Sequence, residues 1–347
     1  MPITKLFSIK DIEKDKAQLV DAAKILAQGG LVAIPTETVY GLAADATNEA
    51  AVSAIFAAKG RPQDNPLIVH ISETSELYNV AAQVTPQALA LAEHFWPGPL
   101  TIILPRGKKI PAITSAGLDT VAVRCPAHPV ARALIRLCGV PLAAPSANLS
   151  GSPSTTTAQH CIDDLDGKID AIVDGGECAV GVESTVITLV GTVPRVLRPG
   201  YITPEELRMV LGEVEIDDAV TGQLLPNVKA SSPGMKYKHY SPKCKVVLVH
   251  GSDIAFAKYV NSHTKSGSFA LCYNEDKKNL NCPFVCIGAE DDEKEQAARL
   301  FASLRRLDDE GAKTVYARCP HKSGVGLALY NRLIRAAAFT VVQAEEE

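Results

Sequence analysis

The sequence has no apolar run long enough to cross a membrane, and its first residues, MPITKLFSIKDIEKDK, contain no apolar signal core. Nine cysteines occur without a single C-x-x-C spacing, so a disulfide framework is not expected and reduced thiols fit better. The formal net charge of −4 has the wrong sign for a protein whose main role is to bind nucleic-acid backbone. These absences favour a cytoplasmic globular protein without a membrane partner.

The length of 347 residues is sufficient for two domains, each with its own core. A first α/β domain is predicted over residues 1–212, because YITPEELRMVLG indicates a closing helix with Thr203 as N-cap. Residues 213–242 lose periodicity and carry SSPGMKYKHYSP, which fits either a solvated linker or, being aromatic and basic, a lid over a site. Strands and helices alternate again over residues 243–347, which predicts a small doubly wound domain, although it has neither GxGxxG nor GxxxxGKS.

Residues 31–70 organise the first domain. LVAI predicts a buried strand, PTETVY a polar loop, the segment after Asn48 a helix, and PLIVHI a second strand. Such a βαβ unit places ligands at the carboxyl ends of its strands, here at the loop that carries Thr36. Between the helix and the second strand, Lys59 and Arg61 stand beside two prolines, and such a pair of cations suits a nucleotide phosphate chain. A helix-terminal lysine and a solvated arginine explain the same spacing.

Other polar residues stand where predicted strands begin or end. Arg124, Ser146 and Asn148 follow two of these strands, and loops at strand ends are where α/β folds build sites. Ser184 enters a later strand, and Arg198 leaves the last one. Purely structural roles would also explain these residues: an ion pair for Arg124, and a helix N-cap turn for the Ser-Ala-Asn segment. Taken with the Lys-x-Arg pair, these residues fit a phosphate and carboxylate site better.

The segments PTETVYGL, KGRPQDNPL, SAN, STV and HYSP together resemble the two-domain threonylcarbamoyl-AMP synthases. The resemblance implies a YrdC-like twisted α/β domain with a concave basic site, followed by a small Rossmann-like doubly wound domain. It also implies synthesis of L-threonylcarbamoyl-AMP from L-threonine, bicarbonate or CO2 and ATP, with release of pyrophosphate. By the same resemblance the product passes to a tRNA threonylcarbamoyltransferase, and ATP arrives with Mg²⁺. We expect no residue to form a metal site, and the acidic net charge predicts weak or absent direct tRNA binding.

The resemblance also assigns roles to individual residues. The implied catalytic residues are Lys59, Arg61 and Arg124; the implied L-threonine contacts are Thr36, His70, Arg124 and Ser184; the implied nucleotide contacts are Lys59, Arg61, Gln63, Asn65, Ser146, Asn148, Ser154, Arg198 and Tyr240, the last together with His239. One departure is Ala143-Ala144-Pro145, where the family has further hydroxyl residues before the Ser-Ala-Asn segment. Any contact there has to be made by the backbone.

The chemistry fits these residue types. A carbamate oxygen is a weak nucleophile, and its attack on the α-phosphate gathers negative charge that several fixed cations stabilise. A carbamate is short-lived in water, so positioning and a water-excluding lid are also expected. His70 could accept a proton, but a buried strand histidine bonded to backbone is the simpler interpretation.

Two other functions compete with this one. An RNA-binding module would also use a concave basic surface, but the acidic net charge and the lack of an RGG tract count against it. A carbamoyltransferase of the hydrogenase-maturation type embeds a similar domain behind zinc fingers, whereas here the domain begins almost at residue 1, so we do not expect it.

Overall fold

The computed structural model describes residues 3–222 and 240–345. The segment 223–239, which holds most of the predicted lid including His239, lies outside the described residues. No helix within the described ranges has the length and apolar character needed to span a membrane.

Eleven strands form one mixed sheet within residues 3–222. They are β1 (Lys5–Ser8), β2 (Val32–Ile34), β3 (Gly41–Asp45), β4 (Ile68–His70), β5 (Leu100–Pro105), β6 (Thr120–Arg124), β7 (Leu142–Ala143), β8 (Ala171–Asp174), β9 (Thr185–Thr188), β10 (Arg195–Arg198) and β11 (Glu215–Ile216). The helices of this part are α1 (Lys16–Ala27), α2 (Glu49–Lys59), α3 (Leu77–Val80), α4 (Pro86–Phe95), α5 (Pro129–Cys138), α6 (Ala158–Leu165) and α7 (Pro204–Leu211).

The strand order in this sheet is β1-β8-β2-β3-β7-β4-β6-β5-β9-β10-β11. Residues on β2 alternate between the two faces: Val32 and Ile34 pack with α1 and α5, while Ala33 joins the core on the opposite face. Because β11 pairs in parallel with β10, Glu215–Ile216 is built into the sheet although it falls in the predicted linker.

The predicted βαβ unit is wrong in one respect. A strand, β3, follows the loop after β2 and pairs antiparallel with it, and β7 then separates β3 from β4. The sequence of β3, GLAAD, lacks β-branched and aromatic residues, so propensity gives it no strand signal. Its glycine allows a close approach of the neighbouring strand, since a Cβ on Gly41 would lie 3.1 Å from the Cβ of Ala144.

Local capping signals fix where the elements around the Lys-x-Arg segment begin and end. The side chain of Asn48 accepts from the backbone N–H groups of Ala50 and Ala51 at the start of α2. Gly60 ends that helix with φ +61°, a left-handed conformation that glycine adopts without strain. Lys59 is therefore the last helical residue, and Arg61 lies in the following loop.

The C-terminal part, residues 243–345, contains a five-stranded sheet that is parallel throughout. Its strands are β12 (Lys245–His250), β13 (Ser268–Cys272), β14 (Phe284–Cys286), β15 (Thr314–Arg318) and β16 (Val341–Gln343), and its helices are α8 (Asp253–His263), α9 (Glu293–Asp309) and α10 (Gly326–Ala336). The alternating α/β prediction is confirmed, but the order β14-β13-β15-β12-β16 differs from the 3-2-1-4-5-6 order of the Rossmann fold, so that detail is not confirmed.

The C-terminal part shares a hydrophobic core with the first domain. Val39, Val182 and Tyr240 belong to the same buried cluster as Phe301 and Leu333, which lie on α9 and α10. The loop after β2 and the segment before β9 therefore rest directly on the C-terminal helices.

Candidate active site

A cavity of about 580 Å³, its open mouth included, lies on one face of the large sheet along β4. Eight of the residues singled out from the sequence line it: Thr36, Arg61, His70, Arg124, Ser146, Ser184, Arg198 and Tyr240. Of the others, Lys59, Asn65, Asn148 and Ser154 lie behind its wall, and Gln63 is exposed outside it.

The cavity has two ends, because the strands that carry it run in opposite directions. β4 and β6 are parallel, and their register places His70 beside Arg124 at their carboxyl ends. β7 is antiparallel to β4, so the chain leaving β7 reaches Ser146 at the opposite end of β4, near Pro66. The site therefore extends along β4 and is not confined to the carboxyl ends of the strands, where the Thr36 loop was expected to bind ligands.

Arg124 organises the first end. Its Nη2 lies 2.7 Å from Glu37 Oε1, and its Nη1 donates to Thr38 Oγ1 at 2.8 Å. Burial alone would raise the pKa of Glu37, but the charge and hydrogen bond of Arg124 outweigh it and lower that pKa. Thr36 completes the loop by donating to the carbonyl of Val39 at 2.6 Å. Glu37 and Thr38 belong to the same predicted ligand loop as Thr36, although only Thr36 was expected to contact the substrate.

His70 is a neutral group at this end. Burial, followed by the nearby charge of Arg124, lowers the pKa of His70 to about 3. Its Nδ1 lies 3.2 Å from the carbonyl of Ile68, so a backbone group of its own strand contacts the ring. The imidazole therefore carries no charge at neutral pH.

Ser184 and Arg198 form a corner of the same end. Arg198 donates from Nε to the Ser184 carbonyl at 3.0 Å and from Nη2 to Ser184 Oγ at 3.1 Å. The hydroxyl of Thr101, a buried β5 residue with no signal in the sequence, lies 2.7 Å from Ser184 Oγ. Ser184, expected to contact threonine, and Arg198, expected to contact the nucleotide, are thus directly hydrogen-bonded to each other.

Lys59 does not line the cavity but builds the loop that does. Lys59 is 2% exposed, and its ammonium donates to the carbonyls of Ser146 and Asn148. Burial, with a smaller effect of Arg61, lowers the pKa of Lys59. Ser146 Oγ donates in turn to Asn148 Oδ1 at 2.5 Å. The Lys-x-Arg and Ser-Ala-Asn segments are therefore one unit, in which the lysine shapes the second end of the cavity.

Two predicted residues lie one shell behind the wall. Asn65 is 1% exposed, and its side-chain amide has no hydrogen-bond partner within the described ranges. Ser154 donates its hydroxyl to Glu183, which does line the cavity and which the sequence analysis missed.

Tyr240 is the one predicted linker residue that the structure describes at the cavity. Its ring centroid lies 5.3 Å from that of Phe301, and the guanidinium carbon of Arg332 lies 5.7 Å from its ring centroid. Both partners belong to the C-terminal helices, so this residue closes the cavity against that part of the chain.

Taken together, a mixed α/β sheet that collects buried cations, hydroxyls and a neutral histidine around one cavity defines an enzyme for anionic substrates. Comparisons with known proteins agree. A family model described as "Telomere recombination" matches residues 24–200, and one described as "Threonylcarbamoyl-AMP synthase, C-terminal domain" matches residues 202–338. The chain belongs to the threonylcarbamoyl-AMP synthase family.

Relatives cover the chain from end to end. The threonylcarbamoyl-AMP synthase of Pyrococcus abyssi is 43% identical over 98% of this chain and 100% of its own length, and that of Bacillus subtilis is 42% identical over 96% of each. A crystal structure of the P. abyssi protein complexed with L-threonine superposes with a TM-score of 0.88 at 41% identity, over 99% of this chain and 100% of that one. The family and the two-part α/β fold expected from the motifs are confirmed.

Proposed function

We propose that this protein joins L-threonine, bicarbonate or CO2, and ATP into L-threonylcarbamoyl-AMP and releases pyrophosphate, for threonylcarbamoyladenosine formation in tRNA. The single observation that carries the proposal is the two-ended cavity along β4. One end has the Arg124 guanidinium and the Ser184 hydroxyl for an amino acid, and the other has Arg61 and the Ser146 loop for a nucleotide. The full-length relatives named as threonylcarbamoyl-AMP synthases, and the related structure that holds L-threonine, support the same assignment.

The reaction has two bond-forming steps that such a cavity can align. The threonine amine attacks CO2 or bicarbonate, with loss of water in the second case, and gives a carbamate. A carbamate oxygen then attacks the α-phosphate of ATP, and pyrophosphate leaves. Both steps need reactants held in line rather than a covalent enzyme intermediate, and two ends on one strand hold the amino acid and the phosphate chain facing one another.

The charges support the second step. Arg61 and Arg198 line the cavity, and Arg198 is hydrogen-bonded to Ser184 rather than to a carboxylate. Fixed cations in a site that excludes water stabilise charge that develops on a phosphoryl group more strongly than they do in bulk water. His70, neutral because its pKa is about 3, leaves an acceptor nitrogen beside the amino-acid end without adding charge.

We expect Mg²⁺ to come with the phosphates of ATP. Within the described residues no group of three acidic, histidine or cysteine side chains could hold a metal. Among the described residues, Glu183 is the one carboxylate in the cavity lining, and it already accepts hydrogen bonds from Ser154 and Arg332. Mg²⁺ commonly binds through substrate phosphates and waters, which suits a site of this composition.

The product is an activated carbamate, which supports transfer to a tRNA threonylcarbamoyltransferase without long exposure to water. A net charge of −4 supports weak or absent direct binding of tRNA. A cytoplasmic location remains our expectation on the grounds given from the sequence.

The test is an assay of pyrophosphate release together with detection of the adenylate product. Purified protein with L-threonine, bicarbonate, Mg²⁺ and ATP should release pyrophosphate and form a threonine-dependent adenylate, and serine should support the reaction less well. Absence of product with every amino acid would reject the proposal. Strong, salt-dependent tRNA affinity without threonine or ATP would instead favour an RNA-binding role.

A further inference from the structure

One arginine of the C-terminal part reaches into the wall of the active site. Arg332 lies on α10 and is fully buried. Its Nε donates to Glu183 Oε2 at 3.0 Å, its Nη2 to the Glu183 carbonyl at 3.0 Å, and its Nη1 to the carbonyl of Pro199. A single planar guanidinium thus binds two segments that are distant in sequence.

Those two segments carry the corner residues of the site. Glu183 precedes Ser184, and Pro199 follows Arg198, the pair whose side chains bond at 3.0 and 3.1 Å. The segments run so close together that a Cβ on Gly200 would lie 2.3 Å from the nitrogen of Thr185. Arg332 therefore ties together two closely packed segments, and a change of its side chain acts on both of them.

Arg332 also controls a carboxylate. Glu183 is 6% exposed, its Oε2 accepts from Arg332 and its Oε1 accepts from the Ser154 hydroxyl, so both oxygens already have partners. Arg198 is buried too, and within the described residues no carboxylate lies within ion-pair distance of it. If Arg332 lost its charge, Glu183 would be a buried anion without its cation, and the nearby cation available to it is Arg198.

We propose that Arg332 is a positioning residue for the synthase reaction: it holds Glu183 and Pro199 so that Ser184 and Arg198 face the cavity with the Arg198 charge left for the substrates. This inference rests on the proposed function. It assigns the C-terminal part a direct role in shaping the active site, in addition to closing the cavity at Tyr240.

The test compares Arg332→Met with a control on the same helix. Arg335 lies three residues further along, is 5% exposed, and donates from Nη2 to the carbonyl of Ala219 rather than to Glu183 or Pro199. We expect Arg332→Met to lower kcat/KM for threonine and for ATP on the order of 100-fold. Arg335→Met should change both values by no more than about threefold, even where the two variants lose similar thermal stability.

A double variant separates positioning from packing. Adding Glu183→Gln to Arg332→Met removes the carboxylate that would neutralise Arg198, so kcat/KM should recover about tenfold relative to Arg332→Met alone. A purely structural role predicts instead that kcat/KM recovers only in proportion to the thermal stability that the double variant regains, so thermal unfolding is measured on the same variants. Equal effects of Arg332→Met and Arg335→Met, or no recovery in the double variant, would overturn the inference.

Two measurements keep the test decisive. If Arg332→Met does not fold, Arg332→Lys retains the cation but loses the planar fork, and a kcat/KM equal to that of the unaltered protein would then overturn the inference. If the unaltered protein binds ATP but makes no adenylate, the proposed function has failed. The dissociation constant for ATP is then measured by calorimetry on the same variants. The positioning role predicts weaker ATP binding in Arg332→Met, little change in Arg335→Met, and partial recovery in the double variant.

Discussion

The ion pair between Arg124 and Glu37 gives a prediction that separates folding from substrate binding. In Arg124→Met the side chain keeps much of its apolar volume, but Glu37 becomes a buried carboxylate without a cation. Breaking a buried pair by removing one partner typically costs about 3–5 kcal/mol. We expect a loss of that size in the free energy of unfolding at pH 7. In the double variant with Glu37→Gln much of it should return, because no buried charge is left alone.

Threonine binding should follow a different pattern. The guanidinium is the proposed partner of the threonine carboxylate, and truncating one side of a buried charge pair costs about 2 kcal/mol or more. The dissociation constant for threonine should therefore rise at least about thirtyfold in the single variant. The double variant should bind equally poorly although it is more stable, because it still lacks the cation.

The pH dependence provides a second check with a definite sign. In the unaltered protein the folded-state pKa of Glu37 is lowered, so the pair stabilises the fold above the ordinary carboxyl pKa, and this contribution is lost as pH falls through the lowered value. Without Arg124, burial raises that pKa, so stability should increase as pH falls from 7 towards 5 and the carboxyl takes up a proton. Between pH 7 and 5 the variant should therefore gain stability, whereas the contribution of Glu37 in the unaltered protein stays constant there and falls only at lower pH.

The assay is urea unfolding followed by the fluorescence of Trp96, the single tryptophan, which is 8% exposed and donates to the Leu100 carbonyl at 2.7 Å. Arg136→Met is the control, since Arg136 forms an ion pair with Glu73 in which both side chains are about half exposed. Its effect should stay below about 1 kcal/mol. Unimpaired threonine binding in Arg124→Met would refute the assigned role. A double variant no more stable than the single would refute the electrostatic argument.

Two further predictions concern the other end of the cavity and the histidine. Lys59→Met should raise the dissociation constant for ATP at least about tenfold, because the Ser146 and Asn148 carbonyls lose a charged donor; calorimetry measures it, and unchanged affinity would remove Lys59 from the site. The ring of His70 should show no titration between pH 5 and 8 in NMR spectra, because its pKa is about 3 and it takes up a proton only below that pH; a midpoint above pH 6 would contradict the buried, neutral assignment.

Local sequence signals predicted much of the fold. Asn48 and Gly60 bound α2 as their residue types suggest, and Thr203 with Glu206 forms the expected capping box on α7. Such signals act within one or two helical turns, so they can be found in a linear sequence. Strand β3 could not be found in this way, because its glycine and alanines form a strand only through pairing on both sides.

The site divides along the same line. Arg124, Ser146 and Ser184 were predicted because each stands at a strand boundary that the hydrophobic pattern reveals. The Lys59 ammonium donates to backbone carbonyls of the Ser146 loop because α2 packs beside that loop. This contact joins segments that are distant in sequence, so no local sequence pattern predicts it. Arg332 lies 149 residues from the carboxylate that it binds, so its part in the site follows from the packing of α10 against the first domain.

The shared hydrophobic cluster around Val39, Val182 and Phe301 has a consequence for dissecting this chain. Cutting between the two parts would uncover apolar side chains on both new fragments and leave Glu183 without its guanidinium partner. Loss of turnover in such a fragment would report a damaged interface rather than the absence of a detachable regulatory module. Point substitutions at the interface between the two parts are therefore the informative way to measure what the C-terminal part contributes to turnover.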